Sequence, residues 1–392
     1  MKTLIELYDE RPIENVLASE VFCPERTVFL CPGEIAQNKP LQEKIRSYFA
    51  HRGLKLQVEF LESSLYRSDR ILKQLRKIAA SYPDCAVDIT GGTDAALFAC
   101  GQFCAESGIP AFTYGRKRNL FFNIHNAEFA HEYPCEIRHT VEDCFRMAGG
   151  DLRQGRVDNS ILHKYLDKID PFFRIFLRNR GDWTRTVNYI TAASQTAYKQ
   201  EISTEVRTKR TVKGDRGMLT APMACLRELE SIGFLQEFRA EGENLSFRFA
   251  DLQIRAWLRD IGSVLELYTY KVCLDSGLFQ DLVTSAVVDW EGSGEQGAVT
   301  NEIDVMAMRG VLPVFLSCKT GEVATEALNE LAVLRDRFGG KSAKAAILTA
   351  RTCNTVTRHR ASELGIDVID LNDLKSGRTE ALIRAMLQAE NP

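Results

Sequence analysis

The sequence predicts an α/β chain of several domains, and three observations carry that expectation. Short apolar strands alternate with amphipathic helices through the first third, the pattern of a mostly parallel sheet covered on both faces. The middle third closes on a helix, a glycine and an apolar hairpin. The last third runs helix, strand, strand, helix, with acids and a lysine placed on the strands. At 392 residues the chain exceeds what one hydrophobic core fills, so two or three domains are expected, drawn at 1–150, 151–255 and 256–392.

Each element follows from local pattern. Thr27–Cys31 reads as a buried strand, and Pro32-Gly33 turns it into a helical stretch near Leu41–Phe49. Leu54–Phe60 alternates as a strand does, Ile71–Ala80 has helical spacing, and Cys85–Thr90 is again a strand. Ala95–Ala105 is a helix, Ala111–Tyr114 a strand, and Leu120–Ile124 its hairpin partner. Further on, Pro171–Leu177, Val187–Tyr198 and Pro222–Ile232 read as helices. Gly233 stops the last of these, and Phe234–Phe238 with Leu245–Phe249 forms a hairpin around Gly242-Glu243-Asn244. Helix, turn and hairpin in that order predict a winged-helix-like module, which serves to bridge domains, dimerise or contact nucleic acid. Ile254–Cys273 has helical spacing throughout, and Ile366–Leu371 is a final buried strand.

Composition excludes several classes. Hydrophobic residues at 45% and charged residues at 26% suit a soluble globular protein rather than a disordered one. No apolar run approaches the roughly 18 residues of a spanning helix, and the start MKTLIELYDERP lacks a signal-peptide core. The eleven cysteines show no CxxC pair, so reduced thiols and a cytoplasmic location are expected, with Cys100 and Cys104 as core thiols. The formal net charge of −3 conceals an asymmetry: −2 for residues 1–150, +4 for 151–255 and −5 for 256–392. Phe172 to Arg216 holds 10 basic residues against 4 acidic, including Arg207, Lys209, Arg210, Lys213 and Arg216. That stretch reads either as a solvated face or as a surface for phosphates.

Two constellations bear on function. Val87-Asp88-Ile89-Thr90-Gly91-Gly92-Thr93-Asp94 lies between a strand and a helix, where folds of this class bind ligands. Its glycines admit close approach, and the hydroxyls of Thr90 and Thr93, with the helix N–H groups, suit a phosphate. Near the other end, Glu302 and Asp304 share one face of the strand Asn301–Met308, after a Gly-rich segment from Gly292 to Gly297. Ser317 and Lys319 share a face of Leu312–Lys319, ahead of a helix at Ala324–Phe338. Glu266, on the preceding helix, either faces solvent or turns inward. Clustered carboxylates suit a hard divalent cation, and a nearby lysine can hold the attacking water or the scissile phosphate.

The strand, TGGT turn and small-residue helix resemble the ligand motif of the CARF domain, the CRISPR-associated Rossmann fold. The loop Tyr114-Gly115-Arg116-Lys117 falls where that family places a ligand-contacting loop. The resemblance implies a homodimer that binds cyclic oligoadenylate, most readily cyclic tetra-adenylate, through Thr90, Gly91, Gly92, Thr93, Asp94, Pro32, Gly33, Gly115 and Arg116. Asp94 departs from the family, which commonly has lysine there. The string Asn301-Glu302-Ile303-Asp304-Val305 to Ser317-Cys318-Lys319-Thr320 is similar to the PD-(D/E)xK nuclease half of type III CRISPR effectors, as is Leu334–Lys341. By that resemblance Asp304 is the metal-ligating acid, Lys319 the motif lysine and Glu266 the helical acid, around Mn²⁺ or Mg²⁺. Ser317 stands where the second acid normally stands, leaving Glu302, Asp289 or a water to complete the shell. The implied activity is activator-dependent, metal-dependent cleavage of single-stranded DNA or RNA in antiviral defence. The alternative is a ligand-responsive DNA-binding regulator with a degenerate nuclease domain. No GxGxxG fingerprint supports a dinucleotide enzyme.

Overall fold

A computed structural model describes residues 1–153, 162–195, 203–215, 217–290 and 300–388. The Gly-rich segment from Gly292 to Gly297 and Arg216 lie outside the described residues.

The first sheet has seven strands: β1 (Thr3–Leu7), β2 (Arg26–Cys31), β3 (Gln57–Glu62), β4 (Cys85–Asp88), β5 (Ala111–Gly115), β6 (Leu120–His125) and β7 (Tyr133–Pro134). Their spatial order is β3-β2-β1-β4-β5-β6-β7, parallel as far as β5 and antiparallel beyond it. The interior strand β1, between β2 and β4, is absent from the strands expected on sequence. Its TLIEL pattern carries polar residues inside a fully buried strand, so alternation does not betray it. Leu4 packs with Leu17, Phe112 and Phe121 on one face, while Ile5 and Leu7 pack with Ile71, Leu75 and Cys100 on the other. The order reverses between β1 and β4, and that reversal opens a crevice at the strands' carboxyl ends.

The middle of the chain matches the winged-helix-like expectation. Helices Leu166–Arg178 and Trp183–Ala193 are followed by β9 (Glu205–Lys209) and a small hairpin, β10 (Thr211–Gly214) with β11 (Gly217–Thr220). Helix Met223–Ser231 then leads into β12 (Leu235–Glu241) and β13 (Asn244–Phe249), and β9 joins their antiparallel sheet beside β13.

The last sheet holds β8 (Asp151–Arg153), β14 (Asp281–Asp289), β15 (Thr300–Arg309), β16 (Leu312–Lys319), β17 (Lys344–Thr349) and β18 (Ile366–Ile369), in the order β18-β17-β16-β15-β14-β8. The edge strand β8 comes from just after the first sheet. Helix Val141–Met147, before it, buries Val141, Cys144 and Phe145 against Phe338 and Met308, so residues near 150 pack with the C-terminal body. Helix Thr325–Gly339 covers one face of this sheet. The other face receives helix Ser263–Asp275, whose Val264 and Leu265 pack with Val305, Val314 and Leu316.

One expectation is corrected here: Ile254–Cys273 is not a single helix. Helix Leu252–Trp257 ends, and a new one starts at Ser263. The Asp260 carboxylate accepts bonds from the Gly262 N–H (3.1 Å) and the Ser263 hydroxyl (2.9 Å), competing with the helical ladder and restarting the chain in a new direction. Among the described residues, no helix is long and apolar enough to cross a membrane.

Candidate functional site

The restart at Gly262 positions the first acid. It brings Glu266 into the first turn of its helix, over the middle of β15. A Cβ at position 262 would lie 2.8 Å from Glu266 Oε1, so a side chain there would push the carboxylate out of this position. On the sheet, the register Val305↔Leu316 continues to set Asp304 opposite Ser317. Asp304 Oδ2 accepts the Cys318 N–H at 2.6 Å and the Ser317 hydroxyl at 3.0 Å, and Lys319 Nζ stands 3.7 Å away. The β14–β15 ladder lapses beside Asp304: Thr284 pairs with Val305 and Ala286 with Ile303, while Ser285 takes φ 50°. The lapse frees the Ser285 hydroxyl to donate to Glu266 Oε2 at 2.9 Å, and Thr284 Oγ1 donates to the Asp304 carbonyl at 2.9 Å.

Burial, and then the Asp304 charge, pushes the Glu266 carboxyl up to about 8, against the Ser285 bond that favours its ionised form. Two acids at such close quarters are short of positive charge. Glu302 shares the exposed side of β15 and adds to that field, but makes no bond to either acid. Asp289 does not complete the shell: it is buried against Arg153, with Nη2 2.7 Å from Oδ2, four residues along β15 from the Asp304 level. Among the described residues, no three metal-binding side chains come together. The donor set that remains, two carboxylates and two serine hydroxyls, fits a cation of the Mg²⁺ kind, which keeps several waters and takes only one or two carboxylates.

The second centre lies at the carboxyl ends of β1, β4 and β5. The Asp88 carboxylate accepts the Thr90 N–H at 2.7 Å and also the Thr90 hydroxyl, which in turn accepts the Tyr114 N–H at 2.8 Å. Thr93 caps helix Asp94–Ser107, accepting the Ala96 N–H and donating to the Leu65 carbonyl. Both threonine hydroxyls are therefore committed inside the protein, and the turn offers a ligand mainly backbone. Gly92 has φ 97°, and a Cβ there would lie 2.8 Å from Leu7 Cδ1, so only glycine fits. Asp94 is exposed in the first helical turn, where an acid favours the helix dipole. Gly115 and Arg116 reach the same edge from β5. Pro32 and Gly33 stand at the end of β2, with Gly33 against Glu62, and make no bond to the turn.

Sequence reasoning missed the partners of this turn. Asp9, just past β1, accepts the Gly92 N–H at 3.1 Å and is held by Arg11 through Nε (2.7 Å) and Nη2 (2.6 Å). Burial opposes ionisation of Asp9, but the bonds from Arg11 and Gly92 outweigh it and hold the carboxyl below its usual range. Arg11 and Arg116 both pair with the buried Glu14. The signal was a charged run, Asp9-Glu10-Arg11, one residue past the unrecognised interior strand β1.

Taken together, the architecture defines a class: a Rossmann-like sheet joined through a winged-helix-like module to a restriction-endonuclease-like sheet with an acid–lysine pair on its hairpin. Residues 255–385 match the family of Card1-like endonuclease domains, and that part of the chain is an endonuclease domain. The whole chain has the fold of a CARF effector nuclease. It is similar to VC1899 from Vibrio cholerae (TM-score 0.75, 16% identity, covering 100% of this chain and 99% of that one). It is also similar to Can2 from Sulfobacillus thermosulfidooxidans in complex with cyclic tetra-adenylate (TM-score 0.70, 16% identity, covering 98% and 97%). A search of curated protein sequences found no match.

Proposed function

We propose that this chain is a nuclease switched on by cyclic oligoadenylate, most readily cyclic tetra-adenylate, in type III CRISPR antiviral defence. Residues 1–150 act as sensor, 151–255 as connector and 256–392 as nuclease, with 141–153 packed into the nuclease body. The observation that carries the reading is the Asp304–Lys319 pair, faced by Glu266 within a Card1-like endonuclease domain. The fold shared with Can2, whose structure holds cyclic tetra-adenylate, supports the choice of activator. A homodimer is supported by Phe98, 70% exposed on helix Asp94–Ser107, and by Tyr66, 78% exposed beside the turn. Both suit a surface that a second copy covers in the cytoplasm.

The chemistry divides among this chain's own groups. Glu266 and Asp304 are the residues to hold Mn²⁺ or Mg²⁺, with Glu302 in their outer field. A bound divalent cation supplies Lewis acidity and neutralises charge developing on the phosphate. Lys319 positions a phosphate oxygen of single-stranded DNA or RNA, and its charge favours the crowded transition state. Ser317 and the Cys318 N–H fix the rotamer of Asp304, and Ser285 does the same for Glu266. Cleavage of labelled single-stranded DNA and RNA, with Mn²⁺ or Mg²⁺ and with or without cyclic tetra-adenylate, tests the reading. Activator-dependent cleavage that falls about 100-fold or more in Lys319→Ala is expected. Full activity in that variant, or no activator dependence in the native chain, overturns it.

One observation favours a second reading. Ser317 gives Asp304 a donor where a third metal-binding acid would stand, as a degenerate site would. A regulator acting through its basic middle domain would shift duplex DNA in a salt-sensitive, sequence-selective way without cleaving it.

A further inference from the structure

The turn joining β15 to β16 lies far from the acids, at the seam with the first sheet. Val311 at its tip is 9% exposed and packs with Leu4, Phe112, Tyr114 and Phe121, within a core cluster of the first sheet rather than of its own. Hydrogen bonds clamp the tip on both sides. His139 N–H donates to the Gly310 carbonyl at 3.1 Å. Gln280 Nε2 donates to the carbonyls of Gly310 and His139, at 2.8 Å each, and Gln280 Oε1 accepts the Gly310 N–H at 2.7 Å.

The opposite end of the same hairpin carries the candidate catalytic pair. At about 3.4 Å per residue, Asp304 lies roughly 17 Å from Arg309 along β15, and Lys319 roughly 24 Å from Leu312 along β16. Tyr114, which shares that core cluster and the lining of the neighbouring cleft with Val311, donates its N–H to the Thr90 hydroxyl of the glycine turn at 2.8 Å. One packed path therefore runs from Thr90 through Tyr114 and Val311 into the two strands that hold Asp304 and Lys319. Beside the tip a cleft of about 920 Å³, lined by Arg116, Ile137, Gln280 and Leu312 among others, leaves space for the tip to shift.

We propose that the β15–β16 hairpin is the lever that couples the sensor to the nuclease, with Val311 as the residue through which the sensor core grips it. The proposal rests on the activator-dependent nuclease reading. A ligand that reseats Tyr114 moves the Val311 socket, and a paired two-stranded ribbon carries that movement to Asp304 and Lys319 as one body. Coupling of this kind amounts to a 5- to 150-fold effect on the remote site in typical cases. Continuous packing supplies the path; the size of the coupling is what the experiment reads.

The test uses the full chain. Binding of cyclic tetra-adenylate is followed by calorimetry, and cleavage is followed with and without it, for the native chain, Val311→Ala, Val311→Ile and Gln280→Ala. In Val311→Ala and Gln280→Ala, ligand binding and unstimulated cleavage are expected to hold while stimulation falls about fivefold or more. Val311→Ile retains stimulation. Should Val311→Ala fail to fold by circular dichroism, Gln280→Ala, on the half-exposed rim, decides alone. Native stimulation in the variants, or loss of ligand binding itself, overturns the lever. A native chain that cleaves but ignores the ligand overturns instead the reading on which it rests.

Discussion

Asp88→Asn tests the electrostatics beneath the glycine turn. Asp88 is 2% exposed and sits directly beside Glu6 in the β1–β4 register. Burial pushes its carboxyl from the ordinary 3.8 up to about 7, with the two Thr90 bonds pulling the other way. Burial, and then the Asp88 charge, raises Glu6 as well. The folded chain thus binds a proton between pH 3.8 and about 7 that the unfolded chain has released, so stability falls as pH rises through that window. At 1.36 kcal/mol per pH unit the cost approaches about 4 kcal/mol above pH 7, and more than half of it accrues between pH 5 and 7. Asparagine keeps an oxygen for both Thr90 donors, carries no charge, and offers Glu6 an amide donor. Urea unfolding of both proteins, followed by tyrosine and tryptophan fluorescence at pH 5 and pH 8, measures the difference. The variant should gain at pH 8 relative to the native chain, and gain less at pH 5. Stability curves that run parallel across the two pH values would refute the reasoning.

Gly92→Ala forces a side chain onto Leu7 at φ 97°, and strain plus overpacking should cost about 2–5 kcal/mol, read as a fall in thermal midpoint; an unchanged midpoint counts against the packing described. Ser317→Glu restores a third carboxylate beside Asp304 and should raise Mn²⁺ affinity roughly tenfold by calorimetry. Unchanged affinity would mean that the cation is held elsewhere.

Much of the fold was legible because its elements are long and periodic. Helix Ser68–Ser81 and the hairpin β12–β13 show their spacing plainly, and β16 runs over the expected residues, Leu312–Lys319. What escaped notice was buried on both sides or shaped by one side chain. Strand β1 hides Glu6 within an apolar run, and β17, Lys344–Thr349, is alanine-rich enough to read as helix or strand. The break at Gly262 depends on where Asp260 spends its hydrogen bonds, which periodicity does not register. The same holds for the candidate site. Asp304, Lys319 and Glu266 were visible as residue types at a spacing, and the structure brings them together. Ser285 was invisible, since its contribution follows from a left-handed backbone angle inside a strand. Asp9 was invisible for another reason: its value comes from lying across a crevice from Gly92, eighty-three residues on.

The edge strand β8 has a consequence for how the protein is made. It is synthesised roughly 130 residues before β14, its neighbour in the sheet, which at about 5–20 residues per second is a wait on the order of ten seconds on the ribosome. Through that interval helix Val141–Met147 has no C-terminal core to bury Phe145 against, so the N-terminal sheet must fold with an unfinished tail attached. Expression of residues 255–392 alone would leave β14 as a bare edge and should aggregate, whereas beginning at 141 supplies the missing strand.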